Sequence, residues 1–160
     1  MELSLHIIPI VQLPPDLATG LLPTAQAEGF AALDRLGQDW QTGSNRFAAP
    51  GECLLAARWQ KQLAGIGGLN VDPYDPSGQA GRVRRLYVAP EFRRQGIGRA
   101  LVQTLIHRAI PRFTLLQTRT RDRAAGQFYC SLGFVPVADN EFVSHRLSLR
   151  QLPSSSASPS

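Results

Sequence analysis

Between Arg82 and Arg99 the chain passes from a β-prone run, Val83–Val88, through Ala89-Pro90 and a loop holding Gly96 and Gly98, into a segment whose apolar residues Leu101, Val102, Leu105, Ile106 and Ala109 form one stripe. Few architectures accommodate that succession. A strand feeding directly into an amphipathic helix buries its apolar side against that helix, which requires a layered α/β arrangement. Pro111 ends the helical stripe, since proline can neither donate nor fit inside a helix. The loop also suits an anionic ligand: its glycines let the backbone approach closely, and the first amides of the helix have no partners within it. Its spacing is neither the dinucleotide-binding GxGxxG nor the GxxxxGK[ST] of nucleoside triphosphate loops.

The remaining runs complete the layers. Alternating or continuous β-prone stretches occur at Leu3–Val11, Cys53–Trp59, Leu63–Val71, Phe113–Thr118 and Phe142–Leu149, giving six strands with Val83–Val88. Gln60–Gln62 is a polar break short enough for a hairpin, and the turn formers of Asn70–Gly81 predict a loop. Phe30, Leu33, Leu36 and Trp40 fall at near-helical spacing, so one or two helices belong between the first two strands, with Pro23-Thr24 as their start. A further helix carries Ala125, Phe128, Tyr129 and Leu132, with Asp122 as its N-terminal cap and Gly133 just past its end. Strands joined by hairpins and strands joined across helices predict a mixed sheet with helices on its faces. Residues 1–152 read as a single domain, and 153–160, rich in Ser and Pro, as a disordered tail.

At 160 residues the chain can bury roughly 70% of the surface it exposes when unfolded, enough for a core without metal or disulfides. Cys53 and Cys130 stand in no CxxC or Cys/His ligand spacing, which fits a reducing compartment, with both as small buried hydrophobes and no metal site. No apolar run reaches the roughly 18 residues of a membrane span. The opening Met1-Glu2, followed by a stretch interrupted at His6, Pro9 and Gln12, does not resemble a signal peptide, so a cytoplasmic location is expected. The net charge of +5 is unevenly placed: residues 82–123 hold eleven arginines against Glu91 and Asp122, a net of +9, and the rest of the chain is at −4. A nucleic-acid partner would show aromatic residues interleaved with basic ones, which this block lacks, so neither nucleic acid nor membrane is expected.

Arg93-Arg94-Gln95-Gly96-Ile97-Gly98 resembles the acetyl-CoA-binding motif (Gln/Arg)-x-x-Gly-x-(Gly/Ala) of the GCN5-related N-acetyltransferases. Leu86-Tyr87-Val88-Ala89-Pro90 is similar to the strand that precedes that loop in the family. Asp122–Phe134 is similar to the family's Asn-x-x-Ala-x-x-(Leu/Phe)-Tyr-x-x-x-Gly-Phe. The resemblance implies a mixed, mostly antiparallel sheet of six to seven strands with helices on both faces, whose central strands around 83–88 and 113–118 splay apart at one end. It further implies acetyl-CoA as co-substrate. Main-chain groups of Leu86, Tyr87 and Val88 would hold the pantetheine arm and amides of Arg94, Gln95, Gly96, Gly98 and Arg99 the pyrophosphate, with the charges of Arg93, Arg94 and Arg99 around them. The implied activity is acetyl transfer to a primary amine of a small molecule or protein, by direct attack in a ternary complex, with Tyr129 as general acid.

Two positions depart from the family pattern. Asp122 replaces the usual asparagine and is assigned to capping. The strand before the loop offers Arg82, Arg84 and Arg85 where relatives often carry a glutamate base, which leaves Glu52, Asp72, Asp75, His145 or a water chain for that role. The same arginines point to an acceptor bearing a carboxylate or phosphate, although strict alternation would put Arg84 and Arg85 on opposite faces. A non-catalytic CoA-binding module of the same fold is the alternative. Edge strands allow a homodimer without requiring one.

Overall fold

The β-prone runs assemble into one seven-stranded sheet, seen in a computed structural model that describes residues 4–150. Both the Ser/Pro tail and Leu3 lie outside those residues. In chain order the strands are β1 Leu5–Pro9, β2 Cys53–Trp59, β3 Gln62–Val71, β4 Ala80–Val88, β5 Leu115–Thr118, β6 Val135–Pro136 and β7 His145–Ser148. Across the sheet they run β1-β2-β3-β4-β5-β7-β6, antiparallel throughout except where β4 meets β5. The mixed, mostly antiparallel sheet expected from the sequence is therefore the one observed, with seven strands.

Local chemistry sets the strand ends. Gln60 and Lys61 both take left-handed backbone (φ 50° and 73°), the two-residue geometry that matches the twist of a hairpin, and join β2 to β3. The β7 run is shorter than its apolar pattern because the Asn140 side chain takes the amides of Phe142 and Val143. β5 starts late because Phe113 and Thr114 donate instead to the carbonyls of Ala109 and Gln79. β6, a two-residue edge strand, is too short for periodicity to reveal.

Helices cover both faces. α3, Ile97–Ala109, lays its apolar stripe over β2, β3 and β4, and Gly65 and Gly67 make room for it: a Cβ at Gly65 would lie 3.3 Å from Leu101. On the other face, Phe47 occupies the space a Cβ at Gly68 would need, 2.4 Å away. That side also carries α1, Leu22–Ala27, and α2, Ala32–Thr42. Leu33 and Leu36 of α2 are fully buried, and truncating either to alanine would cost about 2–5 kcal/mol. The helical segment opens before Pro23, not at it. A π-helical turn, Leu17–Leu21, precedes α1, and its widened coil relieves the clash of the proline ring with the carbonyl four residues back. A two-pronged Arg58–Asp16 pair at 2.8 and 3.1 Å ties this turn to β2. Cys53 is buried as expected, but Cys130 is exposed, because it falls on the outer side of α4, Arg123–Ser131.

Two irregularities in β4 build the site. Its ladder with β5 holds only at Ala80, Gly81 and Arg82, so Val83–Val88 has no strand partner on that side. The Thr118 hydroxyl donates to the Val83 carbonyl at 3.1 Å, where the two strands part. On the β3 side, Gly68 faces Arg84 and Ile66 faces Tyr87, so Gly67 alone opposes Arg85 and Leu86. This bulge puts Arg85 in left-handed backbone (φ 58°) and breaks the alternation of side chains along the strand.

Candidate active site

The gap left by the parting strands is a groove of about 830 Å3. Leu86, Tyr87 and Val88 form one wall, Asp122, Ala125 and Phe128 the other, and Arg93, Arg94, Gly96, Gly98 and Arg99 its mouth at the start of α3. A short 3₁₀ turn, Pro90–Phe92, lifts the chain from β4 into this loop. Gly96 has φ 79° with open space around it, and no side chain caps the helix. Its first amides therefore face the groove as donors. A Cβ at Gly98 would rest 3.6 Å from Phe128 and 3.7 Å from Val88, spanning the groove. An uncapped helix end at the mouth of a slot between parted strands fits a diphosphate with a long, thin arm, as coenzyme A has. Of the loop residues expected at the site, Gln95 alone is absent from the lining and is exposed.

Arg93 differs from the expectation. Its guanidinium grips Glu28 in two places, at 2.7 and 3.0 Å, while its Nε donates to the Val88 carbonyl at 2.9 Å. The same guanidinium stacks 5.6 Å over the ring of Tyr87, whose hydroxyl donates to Glu28. Its charge is thus already matched. Arg93, followed by the Tyr87 hydroxyl, holds the Glu28 carboxyl below the usual range, and burial together with Glu28 pushes the Tyr87 phenol to about 12. The group straps the end of α1 to the loop. Glu28 and Phe30, whose ring lies 5.1 Å from that of Tyr87, had no local signal: Arg93 is 65 residues away from Glu28. Arg94 stays exposed with φ 64°, and Arg99 reaches only the Ser131 hydroxyl at 3.2 Å.

Beyond Phe30, Leu86, Ala125 and Phe128, which line both cavities, the groove continues into a pocket of about 350 Å3. Tyr129 lines it, 5% exposed, edge-on to Phe128 and Phe134. Asp122 caps α4 through the amide of Ala125 at 2.9 Å, and Gly126 lets that helix settle against His145, which fixes where Tyr129 points. Burial pushes the Tyr129 phenol up, partly offset by the nearby Thr118 side chain. Arg82, Arg84 and Arg85 all line the pocket: the bulge overturns the expectation that alternation would separate Arg84 from Arg85. Arg82 is built in, bonded to the buried Asp72 at 3.3 Å and the Phe142 carbonyl at 2.6 Å, and stacked 4.9 Å over Tyr74, itself stacked on Phe142.

Among the described residues no Asp, Glu or His lines this pocket. Glu52 is spent on Asn70 and the amides of Ala49 and Val71, and Asp75 on Ser77 and the amides of Gln79 and Ala80. Asp72 serves Arg82 and Gln117. His145 comes nearest, its ring 6.2 Å from that of Tyr129 and its Nδ1 bonded to Ser144. Among the described residues no three His, Cys, Asp or Glu side chains group to hold a metal ion, and no helix is long and apolar enough to cross a membrane.

Residues 50–136 match the family model described as the acetyltransferase (GNAT) domain. The chain belongs to the GNAT family. It is similar to a candidate acetyltransferase from Exiguobacterium sp. 255-15, at 27% identity and TM-score 0.81, over 91% of this chain and 93% of that one. Two further structures share the fold. One is a candidate GNAT-family acetyltransferase from Desulfovibrio desulfuricans, at 20% identity and TM-score 0.69, over 91% and 99% of the two chains. The other is YncA from Salmonella typhimurium, described with its cofactor acetyl-CoA, at 17% identity and TM-score 0.65, over 92% and 95%. A search of curated proteins found no match.

Proposed function

We propose that the protein is an N-acetyltransferase that moves the acetyl group of acetyl-CoA to a primary amine in a ternary complex. Acetyl-CoA, when bound, supplies the acyl group as a thioester. The first amides of α3, with those of Arg94, Gln95 and Gly96, hold its pyrophosphate, and main-chain groups of Leu86, Tyr87 and Val88 hold the pantetheine arm. In this reading the Val88 carbonyl is shared with, or released from, Arg93. The amine enters by the pocket and reaches the groove where Phe30, Leu86 and Phe128 join the two.

The observation that carries the reading is the buried Tyr129, which lines the pocket that adjoins the groove. Burial keeps the Tyr129 proton in place through neutral and mildly alkaline pH, so Oη can deliver it as the thiol leaves. The new bond forms between nitrogen and acyl carbon, the carbon–sulphur bond breaks, and the amine proton leaves through water, since among the described residues no Asp, Glu or His lines the pocket to take it. A cytoplasmic setting accords with this chemistry and with an exposed thiol at Cys130.

That missing base also favours a second reading, a CoA-binding module without turnover. Thiol release from acetyl-CoA across a panel of amines separates the two. Amine-dependent release that falls in Tyr129→Phe supports the transferase. Saturable acetyl-CoA binding with no release on any amine supports the module.

A further inference from the structure

The pocket beside Tyr129 holds more positive charge than its own structure uses. Arg82 is spent within the protein, on Asp72, the Phe142 carbonyl and the Tyr74 ring. Arg85 is not: its side chain is only 9% exposed and, among the described residues, its single ion pair, to Asp39, is long at 3.5 Å and its buried Nε has no hydrogen-bond partner. Arg84 is half-buried and, among the described residues, makes no ion pair and no hydrogen bond. Two guanidinium groups thus stand partly or wholly out of water at one pocket, and no acid lines it.

Leaving a buried charged donor unpaired is costly, more so than for a neutral group. The β3–β4 bulge is what brings both side chains to this pocket, and it does so with Arg85 in an unfavourable left-handed backbone. A fold that keeps two such cations beside an apolar entrance is complementary to an anion that arrives with the substrate. The guanidinium fork matches the two oxygens of a carboxylate. A cavity of about 350 Å3 admits a small molecule.

We propose that the acetyl acceptor is a small amine that also carries a carboxylate, an amino acid in the broad sense, with Arg84 and Arg85 holding the carboxylate while its amine lies at the Phe30–Leu86–Phe128 junction. The proposal rests on the transferase reading for the role of the amine, but not for the anion site itself. Neither polyamines nor aminoglycosides meet this requirement, because the same arginines repel them.

The test uses matched pairs, an amino acid and its carboxamide, with kcat/KM corrected for the deprotonated fraction of each amine. The acid should exceed the amide by about 10-fold or more, the range of a charge-assisted pair. Arg84→Gln should bring that ratio towards one through KM, with Arg84→Lys keeping part of it and neither variant altering the acetyl-CoA-induced rise in melting temperature. An amide as good as its acid, a polyamine better than any acid, or a phosphonate analogue faster than the carboxylate would overturn the proposal. Calorimetry with CoA present keeps the two readings apart. If no amine is turned over, the transferase reading fails alone when an N-acetyl amino acid still binds about 10-fold tighter than its amide. Equal binding of the two overturns the anion site.

Discussion

The two ends of β4 present different parts of the chain to the groove and to the pocket beside it. Its C-terminal end and the loop beyond present backbone: an uncapped helix end, two glycines and an unpaired strand edge, with one of the three arginines at the mouth, Arg93, committed to Glu28. Ahead of it, the strand presents side chains, Arg82, Arg84 and Arg85, gathered on one pocket by a bulge. A site made of backbone tolerates changes of side chain as long as space remains, and one made of side chains does not. Substitutions in the two stretches should therefore behave oppositely.

The largest effect is expected from filling the backbone site. The Cβ added in Gly98→Leu has room, but the rest of the side chain occupies the groove. Acetyl-CoA affinity should fall on the order of 100-fold, and the ligand-induced rise in melting temperature should vanish while the unliganded melting temperature stays. Next comes Tyr129→Phe, which removes one hydroxyl from the pocket beside the groove. Turnover should drop about 100-fold with acetyl-CoA affinity unchanged.

Tyr129 also fixes the alkaline side of the pH profile. Its folded pKa lies above the unfolded value, so its contribution to stability is complete below that value and is lost as pH rises through the folded one. Turnover should accordingly show no falling limb below about pH 10, the ordinary phenol value, measured as kcat against pH with saturating substrates. At the loop, Arg94→Ala should weaken acetyl-CoA binding by only about threefold, an effect that added salt erases, because the side chain is exposed and the proposed contact is made by its amide.

The smallest effect is assigned to Glu28→Gln. Glu28 has its folded pKa depressed, so the stabilisation from its pair with Arg93 is present above the unfolded pKa and disappears as pH falls through the folded one. Variant and wild type should differ slightly in melting temperature near neutral pH and converge in acid. A difference that persisted in acid would mean that the strap acts by packing, not charge.

The same contrast explains what could be read from the sequence. The loop at the groove's mouth was legible because its glycines stand at fixed spacing between a strand and a helix, and Gly96 and Gly98 do line the groove there. Asp122 and Tyr129 were legible for a similar reason, both being set by the period of one helix. The arrangement of Arg84 and Arg85 was not, because strand alternation assumes an unbroken ladder and the bulge opposite Gly67 breaks it. The partner of Arg93 lay beyond any local pattern, since Glu28 comes from the end of a helix whose start was itself displaced by the π turn before Pro23. Cys130 shows the same limit in reverse: its residue type favours burial, and its place on the outer side of α4 overrides that preference.

The account stands most directly on thiol release from acetyl-CoA, followed with and without an amino acid, in the wild type and in Tyr129→Phe. It predicts release that requires the amine, saturates with it, and falls about 100-fold in the variant while acetyl-CoA still raises the melting temperature of both proteins. Release at the same rate in Tyr129→Phe would contradict the role of the phenol. Failure of acetyl-CoA to stabilise the wild type would contradict the groove itself.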